Sequence, residues 1–296
     1  MAKSLRKKVW ESLGPEYKRL KGIPYDKTSP YLFKGHYPFR ASLAKVLKVP
    51  ESEILKMKKN RNRVEGIPEE KEGWSAIVDV YRLLVYGIML FPQIEFYVDL
   101  AAIDAFLGRQ DWGEHPIVAV LANTYYTLDY YSVRNGKGLR CCTTLLFLWL
   151  TAHLFHSSKK TRCPIEDHYW SYVKPLTKEK WTARLDEATE RSIRWYRQWN
   201  ERDDVIIHCG GFPNIPLMST QGAINCNPEL TLRQVGYPMV LPPSEEAVTP
   251  FILHSLGIQE GEHLKKICQA WKKVIRKGSE WGLQSCGASS SYKSWL

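Results

Sequence analysis

The chain has 296 residues, 44% hydrophobic and 12% aromatic, enough apolar surface for a sizeable core in one large domain or two smaller ones, and its 25% of charged residues excludes global disorder. The net charge of +11 is concentrated at the start: residues 1–63 hold 17 Lys and Arg against 5 Asp and Glu, a net of +12, while the other 25 bases and 26 acids leave −1. The seven cysteines are scattered, odd in number and include adjacent Cys141 and Cys142, which does not resemble a disulfide framework; with no apolar stretch behind the basic start MAKSLRKKVW, an intracellular, reducing compartment is expected.

Residues 1–35 are basic and broken by Pro15, Pro24 and Pro30, and read as a loosely docked arm. From Pro38 to Lys59 the pattern is helical in pieces, with Leu43, Val46 and Leu47 on one face and Pro50 followed by acids opening a second turn. The densest basic run follows: Lys56, Lys58, Lys59, Arg61 and Arg63. Such a run binds polyanions or acts as a nuclear address when it is exposed and unopposed, and is a solvated helix end otherwise.

Gly73 to Leu90 repeats apolar residues at i+3 and i+4, which predicts a helix ended by Pro92. Ile94–Leu107, Pro116–Leu128 and Leu139–Phe155 are further helical stretches, the last two separated by a turn at 135–138. The longest apolar run, Thr143 to Phe155, falls short of the roughly 20 residues of a bilayer span, so a buried helix and no membrane association are expected. Trp181, Leu185, Ala188, Ser192, Trp195 and Trp199 step by fours and threes along a predicted helix from 178 to 199, a stripe suited to core packing or to base stacking. Val205–Ile207 and Ile215–Met218 read as a short hairpin or extended loop, with Pro213 and Pro216 keeping both out of a sheet interior. Residues 244–256 and 261–277 return to helix, the latter with a basic outer face of Lys265, Lys266, Lys272, Lys273, Arg276 and Lys277; residues 287–291 read as a frayed tail. The expected fold is therefore mainly α, a multi-helix globule with an extended element near 205–218, divided into a basic arm over 1–63 and a helical body over 64–293.

The order of several segments carries a family likeness. They are Tyr86-Gly87-Ile88-Met89-Leu90-Phe91-Pro92, Pro116-Ile117-Val118-Ala119-Val120-Leu121-Ala122, and Cys141-Cys142 leading to Leu148-Trp149-Leu150. Beyond them come Cys209-Gly210-Gly211-Phe212-Pro213-Asn214-Ile215-Pro216-Leu217-Met218 and Arg233-Gln234-Val235-Gly236-Tyr237-Pro238. Over roughly residues 72–293 the chain resembles a plant domain of unknown function found in legume retroelement-like proteins, related to the plant mobile domain, also called aminotransferase-like. The resemblance implies a mostly helical domain that travels with mobile elements, in some relatives acting in the nucleus, with no catalytic residues to carry over. No phosphate-cradling glycine turn is paired with a Schiff-base lysine, so no pyridoxal or other cofactor is expected.

Three chemical motifs remain. His153, His156, Cys163 and His168 have metal-ligating side chains at a spacing that matches no established zinc module. His208-Cys209 beside two glycines is a candidate activated thiolate. Asp79, Asp99, Asp104, Asp111 and Asp129 would have to converge to hold the metals of a nuclease. No catalytic or metal-binding residue is assigned. Two functions are consistent with the residues: a non-catalytic module that binds nucleic acid, or another protein, with Lys56, Lys58, Lys59, Arg61 and Arg63 supplying phosphate contacts, and a metal-dependent nuclease encoded by a mobile element.

Overall fold

Apolar spacing forms helices where it runs longest. In the computed structural model, α1 (Arg40–Leu47) and α2 (Glu51–Met57) bury Leu43, Val46, Leu47, Ile54 and Met57. Helices α3 (Val78–Leu84), α4 (Leu100–Trp112), α5 (Ile117–Arg134) and α6 (Thr143–His153) follow in the order expected. The residues described are 29–34, 38, 40–62, 64–68, 78–134, 139–153, 160–162, 169–171, 177–189, 191–195, 204–248, 252–254, 261–278, 280, 285 and 287–295. Most of the expected basic arm, together with Trp74, Trp199 and the turn at 135–138, lies outside them. No helix among the described residues is long and apolar enough to cross a membrane.

Strands correct the expectation of a mainly α fold; the chain is mixed α/β. Strands β1 (Lys59–Arg61), β2 (Val64–Pro68) and β3 (Tyr97–Asp99) form one antiparallel sheet in that order. Strands β4 (Lys160–Arg162) and β5 (Tyr169–Ser171) pair as a ribbon. Strand β6 (Asp204–Cys209) does not fold back on β7 (Ile215–Met218) as a hairpin. It pairs with β10 (Val274–Gly278), whereas β7 pairs with β8 (Gly222–Cys226), which also pairs with β9 (Ile252–His254). Pro216 sits in β7, an edge strand, where its missing N–H costs no ladder bond. Most of these strands are three to five residues long, too short to print a period of two on the sequence.

The helical reading fails in three further places, each for a local reason. Helix α7 (Lys178–Asp186) stops far short of 199. It buries no residue, and beyond it the Ser192 hydroxyl both accepts from the Thr189 N–H and donates to the Thr189 carbonyl, which diverts backbone groups that a continuing helix would use. Among the described residues of 244–256 only α9 (Glu245–Val248) is helical, after α8 (Pro228–Val235), and β9 follows it. Helix α10 (Gly261–Ala270) ends before Trp271, and the residues expected to extend it become β10, with Ile275 53% exposed. The tail is ordered, contrary to expectation: Met239 and Ala288 form a bridge, and α11 (Ser290–Trp295) buries Tyr292.

One large core runs from Tyr31–Phe33 through α1, α2, α4 and α5 to β7, β8 and α10, so segments on both sides of residue 63 contribute to it. A smaller cluster gathers Leu232, Val235, Tyr237, Met239 and Tyr292. Strand β6 serves both. Its pairing with β10 shifts between Ile275 and Arg276, leaving Ile207 as an extra residue. That bulge resets the alternation, so Ile206 and Cys209 both enter the large core while Val205 joins the small one. Gly210 follows at φ +58, where a Cβ would lie 2.6 Å from the Cα of Ala270; only glycine lets β6 turn this close to the end of α10.

Candidate nucleic-acid interface at the basic hairpin

The basic run folds as the end of α2 and the β1–β2 hairpin. The Lys58 N–H closes α2 on the Ile54 carbonyl, and the chain then turns extended. Arg61 stands opposite Val64, so the connection is two residues, with Asn62 at φ +51. Asparagine tolerates this left-handed conformation better than other non-glycine residues. The edge strand Lys59–Asn60–Arg61 is exposed at every position. Arg63 lies outside the described residues.

Tyr97 locks the hairpin from below. Its hydroxyl donates to the Lys59 carbonyl at 2.5 Å and is within 3.1 Å of the Val64 carbonyl. The ring reaches them by crossing β2 at Gly66, where a Cβ would lie 2.6 Å from Tyr97 Cε1. The Arg61 guanidinium sits 5.6 Å from the ring centroid, a cation–π contact that holds it over the sheet. Burial raises the Tyr97 phenol above its ordinary value, while a backbone hydrogen bond at Gly66 and the Arg61 charge pull the other way.

Charge at the hairpin is partly compensated. Lys56 pairs with Glu53 at 2.7 Å and Lys58 with Glu65 at 2.5 Å. Residues 51–65 hold five bases and three acids, a net of +2. The structure thus brings Lys56, Lys58, Lys59 and Arg61 onto one hairpin and gives the first two of them carboxylate partners.

The other candidate residues are spread through the fold. Asp99 caps α4, accepting from the Ala102 N–H at 2.6 Å. Burial raises its carboxyl to about 6, with hydrogen bonds from the Ala102 and Ala101 N–H groups opposing the shift. Asp104 accepts from the Tyr31 hydroxyl at 2.6 Å. Asp111 is exposed near the end of α4, and Asp79 and Asp129 belong to α3 and α5. Among the described residues no group of three His, Cys, Asp or Glu side chains is placed to hold a metal ion. His153 is buried, its Nδ1 2.7 Å from the Arg194 carbonyl, while His156, Cys163 and His168 lie outside the described residues. Cys209 is fully buried and its thiol is pushed up to about 12, the reverse of an activated thiolate.

Residues 13–296 match the family model described as Domain of unknown function (DUF7745). The chain belongs to that family. No curated protein and no solved structure matches it. Within this DUF7745 domain, reading the sequence missed the two residues that shape the hairpin, Tyr97 and Glu65. Both act across strand pairs, Tyr97 from 38 residues away, and the only local trace of that contact is Gly66 inside an otherwise β-forming stretch.

Proposed function

We propose that the chain is a non-catalytic interaction module that binds nucleic acid through its basic hairpin. The observation that carries this reading is the edge strand Lys59–Asn60–Arg61, exposed along its whole length and held by Tyr97. Lysine and arginine on an edge strand also discourage pairing with other chains. The hairpin goes beyond that need, because Arg61 is held over an aromatic ring, so its charge is oriented before a phosphate arrives. In this reading the module belongs with mobile-element proteins, as its resemblance to the plant mobile domain implies, and a nucleic-acid ligand suits a nuclear setting.

The test is binding of a labelled oligonucleotide by the full chain and by the K58Q/K59Q/R61Q variant. Substitution is preferred to truncation because residues 31–57 contribute Tyr31, Leu43 and Ile54 to the core. The reading expects the variant to bind more weakly while melting at an unchanged temperature. Equal binding by the two proteins rejects the hairpin as the contact surface.

A further inference from the structure

The two faces of the hairpin carry its charge unevenly. Lys59 stands opposite Gly66 and Arg61 opposite Val64, so both cations rise from one face of the strand pair. Tyr97 crosses that same face from the neighbouring strand. Its hydroxyl reaches the Lys59 carbonyl, and its ring centroid lies 5.6 Å from the Arg61 guanidinium carbon. Asn60 stands opposite Glu65, and these two take the other face.

From there Glu65 reaches the residue just before β1. Its Oε2 is 2.5 Å from Lys58 Nζ, a contact that ties β2 to the end of α2. The Lys58 side chain is 33% exposed, against 68% for Lys56, whose partner Glu53 belongs to the same helix. Lys58 is therefore the more sheltered of the two paired lysines. Among the described residues no carboxylate lies within ion-pair distance of Lys59 or Arg61.

An ion pair at this exposure adds little to stability. Its consequence for a polyanion is a separate matter, because a phosphate oxygen and a carboxylate oxygen seek the same ammonium. Lys58 neutralises a phosphate only by giving up Glu65. The released carboxylate then stands uncompensated on the adjacent strand and repels the phosphate that replaced it. A cation in such a pair brings almost no net attraction, whereas Lys59 and Arg61 bring theirs in full.

We propose that Glu65 masks Lys58, so that nucleic acid meets the hairpin on the Lys59 and Arg61 face alone, and that loss of the Glu65 charge recruits Lys58 as a further phosphate contact. The proposal rests on the hairpin being the nucleic-acid surface. Lysine suits the masked position, since its ammonium rides on a flexible four-carbon stem that swings round the open edge of β1 once released. Neutralising one carboxylate on β2 thereby raises the affinity of the whole hairpin.

The experiment measures affinity of the full chain for a labelled oligothymidine across a salt series, beside the variants K59Q/R61Q, E65Q, K58Q/E65Q and E51Q. Glu51, exposed in the first turn of α2, controls for the gain of one net positive charge. Every substituted side chain is exposed or half-buried, and unchanged melting temperatures confirm intact folding. E65Q is expected to bind roughly two- to five-fold more tightly than the parent at low salt. Its salt slope is expected to steepen by about 0.7, the increment for one more single-strand phosphate neutralised. E51Q is expected to leave the slope unchanged. K58Q/E65Q removes the pair whole and is expected to bind like the parent, which takes nothing from Lys58. Binding by E65Q no tighter than by E51Q overturns the proposal. So does weaker binding by K58Q/E65Q, which would make Lys58 a contact already. Either result leaves the hairpin reading standing as long as K59Q/R61Q binds more weakly than the parent. Binding by K59Q/R61Q as tight as the parent's, or no binding by the parent, rejects that reading and the mask with it.

Discussion

Gly66 and Asp99 show how much of the hairpin's geometry rests on single atoms. A methyl group at 66 would collide with the Val98 carbonyl oxygen and wedge against the Tyr97 ring. Gly66→Ala is therefore expected to destabilise the chain by about 1–3 kcal/mol, read as a lower urea midpoint. A midpoint within error of the parent would show that the Tyr97 ring does not cross β2 there. Asp99 carries a pH signature of definite sign. Its carboxyl is raised from 3.8 to about 6 by burial, so between those values the folded chain holds a proton that the unfolded chain has released. Stability from this group is thus present at low pH, falls as pH rises through that window, and is constant above it, a change on the order of 2–3 kcal/mol. Asp99→Asn keeps a capping side chain but cannot titrate. The variant is expected to show a flatter melting temperature than the parent across this window; parallel curves would contradict the assignment. Burial governs a thiol in the same way. Cys209 stands beside two glycines in a pattern that invites a nucleophile, but what decides its chemistry is burial in the large core, which no local motif records.

At the scale of elements, helices with a long buried face were legible and short strands were not. The apolar residues of α5 and α6 sit in continuous runs, and those helices formed close to the positions expected from spacing, whereas α4 begins at Leu100 rather than Ile94 because Tyr97–Asp99 pairs with β2 as β3. The stripe from Trp181 onward had the same spacing, but α7, which carries its first residues, buries none of them. Leu185 remains 48% exposed, and Trp195, instead of continuing a helix, stacks on Arg233 at 4.3 Å. The stretch after Ala270 kept its basic residues and changed from helix to strand because β6 offered a pairing partner that lies some 65 residues earlier in sequence, which no local period can encode. Trp271 marks the junction. Its indole N–H donates to the Pro216 carbonyl at 2.8 Å, tying the end of α10 to edge strand β7. Trp271→Phe leaves that carbonyl buried without its donor and is expected to cost about 1–3 kcal/mol in chemical denaturation. A loss below about 0.5 kcal/mol would mean that the bond does not hold these elements together.

For the whole molecule, the charge asymmetry visible in the sequence was a sound guide to which segment to inspect and a poor guide to what its charges do. Lys56 and Lys58 in the basic run pair with Glu53 and Glu65, one of them supplied by the opposite strand. The meeting of Lys34 with Glu114 depends on Tyr31 docking in the space left by Gly108, a contact between residues far apart in the chain. The carboxylates considered for a nuclease are dispersed by the same folding into a helix cap, a tyrosine acceptor and an exposed helix end. What remains as a coherent account is a mixed α/β domain of the DUF7745 family with an exposed basic edge strand, which we propose binds a polyanion. The measurement that tests this most directly is the equilibrium affinity of the full chain for an oligonucleotide as a function of salt. The account expects the logarithm of the binding constant to fall linearly with the logarithm of salt concentration, with a slope that becomes shallower when Lys58, Lys59 and Arg61 are replaced by glutamine. A slope near zero, or no binding at the lowest salt, would contradict it.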